Sequence, residues 1–119
     1  NKQSNLLKDE FINRNSTYYT ITLVTFLKES INVENFLTMH DINNNALAYS
    51  IGSVNNYYRV IYGVYSSFAE AKADIQNLSF DLRKNIPYIS KITTNQKKFE
   101  SYNSRNLEKE MNNSKRIEF

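Results

Sequence analysis

A chain of 119 residues with 40% hydrophobic content holds one small domain with a modest core, and leaves no room for a second. It has no cysteine, which excludes a disulfide framework and a thiolate metal site, and no apolar run approaches the roughly 18 residues of a membrane span. The formal charge of +3 resides in the ends, because Lys28, Arg59, Lys72, Arg83, Lys84 and Lys91 balance Glu29, Glu34, Asp41, Glu70, Asp74 and Asp81 between Tyr18 and Thr93, leaving no basic stripe of the kind nucleic acid requires.

Residues 1–17 are polar and read as a linker or N-terminal extension. The chain starts at Asn1 without an initiator Met or a signal-like apolar segment, and reads as a processed fragment. From Tyr19, "YTITLVTF" is β-branched and aromatic without a breaker, which predicts a strand with Ile21 and Leu23 on one face and Thr20, Thr22 and Val24 on the other. In "SINVENFLTMH" the residues Val33, Phe36, Leu37 and His40 recur at helical spacing behind the N-cap candidates Ser30 and Asn32, predicting a first helix.

After the turn-rich "DINNNA", "LAYSIGSV" predicts a second strand, and the Asn pair in "VNNYY" tolerates the positive φ of a hairpin turn. The third strand, "YYRVIYGVY", places Tyr58, Val60, Tyr62 and Val64 on one face and Tyr57, Arg59, Ile61 and Gly63 on the other, with Gly63 marking a bulge or a close backbone approach. Ser67 and Glu70 form a capping box for a second helix carrying Phe68, Ala71, Ile75, Leu78 and Leu82, a run that Ser79 splits into two short helices. Pro87 ends it, and "YISKI" is the fourth strand. The order βαββαβ predicts an α+β split βαβ fold of ferredoxin-like or RNP-like type. Its four-stranded antiparallel sheet has the order 4-1-3-2, with two helices on one face and strands one and three open on the other. The C-terminal extension, 94–119, is polar, with Phe99, Tyr102 and Met111 near helical spacing, so an extra helix there would cover the open face if it docked.

Residues 18–93 resemble the SPOR domain, the sporulation-related repeat. The likeness rests on "YTITLVTF" followed by "YYRVIYGVYSSFAEAKADIQNL", in which Tyr-Arg-Val, Gly, an aromatic, Ser and Glu-Ala stand in the family's usual order. The later "LSFDLRKNIPYISKI" is similar to the variant of the family found in an enterobacterial division protein, where a further turn and an Asn and Pro precede strand four. The resemblance implies a noncatalytic module that needs no cofactor and binds peptidoglycan glycan strands stripped of their stem peptides. It also implies a periplasmic or cell-surface location at the division septum, within a membrane-anchored parent whose tether is absent from this chain, and division proteins as further partners.

In the family the ligand lies across the open sheet, on a Gln and a Ser-like group of strand one and an aromatic at the start of strand three. Those positions hold Thr22, Thr25 and Tyr57 here, with Arg59 beside Tyr57; Thr22 stands where Gln is usual and Val24 where Gly is frequent. Tyr57 suits stacking on a sugar face, Arg59 offers a planar fork of donors, and Thr20, Thr22 and Thr25 offer hydroxyls. Ile61 on that face is either ligand-contacting or covered. The bland readings are a solvated Tyr, an Arg paired across strands, and Thr as an ordinary strand former.

Two other functions share this fold order. An RRM stacks bases on aromatics of its central strands, but strand three lacks the RNP1 pattern and the domain is neutral. A protein-interaction module of the divisome or envelope would use the open sheet, the second helix or the tails. Catalysis has the least support: the one His stands apart from any carboxylate cluster, and Glu70 is occupied in helix capping.

Overall fold

Strand-forming and helix-forming stretches alternate along the chain as their side-chain periods require. The computed structural model describes residues 6–13 and 15–101, so Tyr102 and Met111 lie outside the described residues. In order these residues form α1 (Leu6–Phe11), β1 (Tyr19–Leu27), α2 (Val33–Met39), β2 (Ala46–Ile51), β3 (Tyr57–Tyr65), α3 (Phe68–Ile75), α4 (Phe80–Arg83) and β4 (Tyr88–Lys91). A further helix, α5, runs over 92–101 directly after β4. The strands pair antiparallel in the order β2-β3-β1-β4, the expected sheet seen from its other edge.

A short polar side chain sets the start of each helix on the first face. Asn32 accepts from the Asn35 amide at 3.0 Å, Ser67 from the Glu70 amide at 3.1 Å and Ser79 from the Leu82 amide at 3.3 Å. Each cap satisfies an amide the first turn leaves open, worth about 1 kcal/mol. Ser79 thus ends one helix region and begins the next, as its position suggests. Glu70 reaches back to the amide and hydroxyl of Ser66 rather than to Ser67.

The first face of the sheet is apolar. Ile21, Leu23, Phe26 and Val60 pack under Phe36, Ala71, Leu78 and Leu82 from α2, α3 and the segment through α4. Phe68, expected inside, is exposed and lies edge-on to Tyr19 at 6.3 Å.

Two irregularities in the β1–β3 pairing correct the simple alternation. Between Tyr19↔Tyr65 and Ile21↔Tyr62, β3 carries one extra residue. Gly63 adopts φ 80 there and donates to the Asn45 carbonyl at 2.7 Å, and a Cβ on it would lie 2.5 Å from the Tyr65 hydroxyl. The bulge turns Val64 to the second face and Tyr65 to the first. There the Tyr65 hydroxyl donates to Asp74 of α3; burial, then the Asp74 carboxylate, raises its pKa well above the ordinary phenol value and keeps it protonated. A second shift, between Thr22↔Ile61 and Val24↔Val60, carries the extra residue on β1, and Val24 consequently packs on the first-face core instead of the second face.

The second face is covered over part of its area. Leu7 and Phe11 of α1 and Ile92 and Phe99 of α5 pack on Leu47, Tyr49, Ile51, Ile61 and Val64. The extra C-terminal helix that the sequence left as a possible cover is present as α5, and together with α1, which the sequence did not suggest, it closes much of the face expected to be open across the two central strands.

Candidate functional site

The helices α1 and α5 divide the second face into a covered half and an open end. Beneath them, Phe11, Tyr49 and Phe99 form an aromatic triad with ring centroids 5.4 to 5.9 Å apart. Gln96 of α5 donates to the Phe11 carbonyl, joining the two helices. A polar layer accompanies these contacts. The Tyr49 hydroxyl donates to Asn95 Oδ1 at 2.6 Å, while Asn95 Nδ2 donates to Ser90 Oγ at 2.9 Å and to the Lys91 carbonyl at 3.0 Å.

Three of the six sequence-derived site residues are buried. Thr20 and Ile61 are 0% exposed and Thr22 is 2% exposed, so the expectation that all six share an open face does not hold for these three. Thr20 donates to the Tyr62 carbonyl at 3.0 Å and so supports the strand at the bulge. Thr22 Oγ1 lies 3.5 Å from Ser90 Oγ. Ile61 is a member of the second-face cluster.

The other three meet at the open end. Arg59 and Thr25 are paired across β3 and β1, and the Arg59 Nε donates to Thr25 Oγ1 at 3.1 Å. Tyr57, two residues along the same face, is 39% exposed opposite the exposed Leu27. The Arg59–Thr25 bond uses one guanidinium donor and steadies the plane.

Tyr88 joins this surface and was not singled out from the sequence. It begins β4 opposite Thr22 and is 51% exposed. With Thr22, Thr25, Asn85 and Ile86 it lines a cleft of about 250 Å³ beside the β1 irregularity. Its signal was present: Tyr88 shares the parity of Ser90, and the strand order places β4 against β1. Ile86, at the cleft rim, takes φ 53, a left-handed conformation that is strained for a β-branched residue.

The open end therefore offers two exposed phenol rings, a guanidinium, a hydroxyl and an amide side chain, with apolar flanks. Rings of this kind pack on the C–H face of a sugar while their hydroxyls stay in water, and the guanidinium and Thr hydroxyl can bond to hydroxyl or carboxylate groups. The side chains lining the cleft and the Arg59–Thr25 pair offer phenol, guanidinium, hydroxyl, amide and apolar groups. Among the described residues, no group of three His or carboxylate side chains is placed to hold a metal ion, and no helix is long and apolar enough to cross a membrane.

A family model described as SPOR domain matches residues 15–91, from just before β1 to the end of β4. Comparison with curated proteins and with solved structures finds no match. Both α1 and α5 lie outside the matched residues.

Proposed function

The chain belongs to the SPOR domain family of noncatalytic peptidoglycan-binding modules, and on that premise we propose that its open sheet end grips glycan strands stripped of stem peptides and directs a parent protein to the division septum on the periplasmic side of the inner membrane. The observation that carries this reading is the Arg59–Thr25 pair with exposed Tyr57 two residues along β3, beside a cleft that Thr25 shares with exposed Tyr88, on the sheet face away from the three capped helices. Tyr57 and Tyr88 act as stacking platforms, and Arg59 and Thr25 supply hydrogen bonds to sugar hydroxyls or to a muramyl carboxylate. Thr20 and Ile61, being buried, support the surface from below in this arrangement, and Thr22 lies at the wall of the cleft.

Co-sedimentation of the chain with purified sacculi, before and after amidase removal of stem peptides, tests the reading. Binding should rise after amidase treatment, and Tyr57→Ala should weaken it at least about tenfold, in line with the loss of a buried aromatic anchor. Failure of the wild type to sediment with either preparation would remove the glycan reading and leave recruitment of an envelope protein through the same surface.

A further inference from the structure

We propose that the uncovered edge of β1 at Thr25 is a docking slot for an extended segment of a partner protein, which adds to the sheet as a short strand in line with β4 and sets an acidic side chain against Arg59. The slot stands apart from the glycan reading, because what it recognises is a polypeptide main chain. Arg59 and Tyr88 border both surfaces.

β1 runs from Tyr19 to Leu27, but β4 pairs with Tyr19 to Thr22 alone, and among the described residues no strand continues beside β1 past that point. The Lys28 amide donates to the Asn56 carbonyl at 2.9 Å, in phase with the pairs Phe26↔Tyr58 and Val24↔Val60. In an antiparallel ladder such bonded pairs alternate with pairs whose main-chain groups point outward. Thr25, opposite Arg59, is of the second kind, so its N–H and C=O point away from β3, to the side where β4 has stopped. No turn, loop or cap bond among the described residues takes either group, and Thr25 is exposed. At Leu27 the carbonyl already accepts from the Ser30 amide at 3.0 Å, so the free window centres on Thr25.

The chain before β4 is diverted from this window instead of being laid along it. Ile86 takes φ 53 and Pro87 follows, and Asn85 and Ile86 line the cleft of about 250 Å³ together with Thr25. An isoleucine in the left-handed region is strained, and this one is 81% exposed. Its side chain stands at the rim as an apolar contact beside the free main chain.

A free N–H and C=O on one extended residue match another extended main chain, which exchanges both bonds with it. The side chain opposite Thr25 on such a segment falls on the face of Thr25 and Arg59, two strand spacings or roughly 10 Å from Arg59 along the backbone plane. The bond from Arg59 Nε to Thr25 Oγ1 at 3.1 Å shows that the arginine already crosses from β3 to β1. Among the described residues no carboxylate is paired with it. Its other N–H groups thus suit a glutamate on the incoming strand, in the forked geometry that carboxylates accept.

Titration of the isotope-labelled full chain with a pool of blocked heptapeptides tests the slot through its amide NMR shifts. The central residue of the pool is glutamate and the others are mixed valine, threonine, leucine and serine. At millimolar pool concentration the Thr25 amide should move downfield more than any other. A pool with glutamine at the centre should bind about fivefold more weakly, a difference that Arg59→Gln removes. A pool methylated at the central amide nitrogen cannot donate to the Thr25 carbonyl and should bind at least about tenfold more weakly. Equal binding by the methylated pool, a Thr25 amide unmoved while peptide binds, or no shift at millimolar concentration would each overturn the slot. Each of these leaves the sacculus sedimentation above to succeed or fail by itself. If Arg59→Gln does not fold, the glutamine pool on the wild type decides the part played by the carboxylate.

Discussion

The two faces of one sheet are covered in different ways. On the first, α2, α3 and α4 are each started by a side-chain cap and sit on a mainly apolar layer from Ile21 to Leu82, with the Tyr65–Asp74 bond the polar contact described there. On the second, α1 and α5 lie over a mixed layer in which Tyr49, Asn95 and Ser90 share hydrogen bonds beside Ile61 and Ile92, and the cover stops short of Tyr57 and Tyr88. The difference teaches that the first face carries the stability of the domain, while the second combines a smaller share of stability with a surface left able to engage a ligand.

The sharpest way to break that contrast is to truncate the first face. Ile21→Ala, at a fully buried position, should cost about 3 kcal/mol by combining lost transfer energy with a cavity, measured by denaturant unfolding. A weaker and more local effect is expected on the other side. Tyr49→Phe removes the donor to Asn95 and should cost about 1.5 kcal/mol, seen as faster exchange of the 92–101 amides with little change for β1 and β3. An equal loss of protection in the first-face core would mean that the two faces unfold as one unit. The smallest effect belongs to the cleft rim. Ile86→Gly relieves the left-handed backbone at φ 53 against a gain in unfolded-state freedom, and should stabilise by about 0.5 kcal/mol in thermal unfolding. A loss of stability there would show that the Ile86 side chain contributes packing at the rim.

Much of this architecture was legible in the chain, because its signals are local. The four strands follow from β-branched and aromatic runs, the helix starts from Asn32, Ser67 and Ser79, and the bulge from an isolated glycine at position 63. The second cover was legible only in part, through Phe99 of the C-terminal stretch, and for a physical reason. Ile92, Asn95, Gln96 and Phe99 occupy the inward positions of α5, and the two in the middle are polar, so the stripe does not read as hydrophobic. Leu7 and Phe11 are a single i, i+4 pair in a polar stretch. Val24 was misplaced because the β1 irregularity has no glycine to announce it. In the candidate site, Tyr57 and Arg59 could be grouped from strand parity, whereas Thr25 came from the family resemblance, since plain alternation sets it with Ile21 and Leu23 until the β1 irregularity moves it opposite Arg59, and the cover over Ile61 comes from helices that strand parity cannot see.

The extra residue at Gly63 also has a bearing on how the domain can change. It interrupts β3 so that the Tyr57–Ile61 length keeps one alternation and the Val64–Tyr65 length another. Beyond the interruption, Tyr65 is moored to Asp74 and through it to α3. A mutation that reshapes the near length is therefore insulated from the mooring, because the phase of the strand is reset between them. Substitutions at Tyr57 and Arg59, where the proposed ligand would sit, therefore leave the far end of the same strand holding its helix.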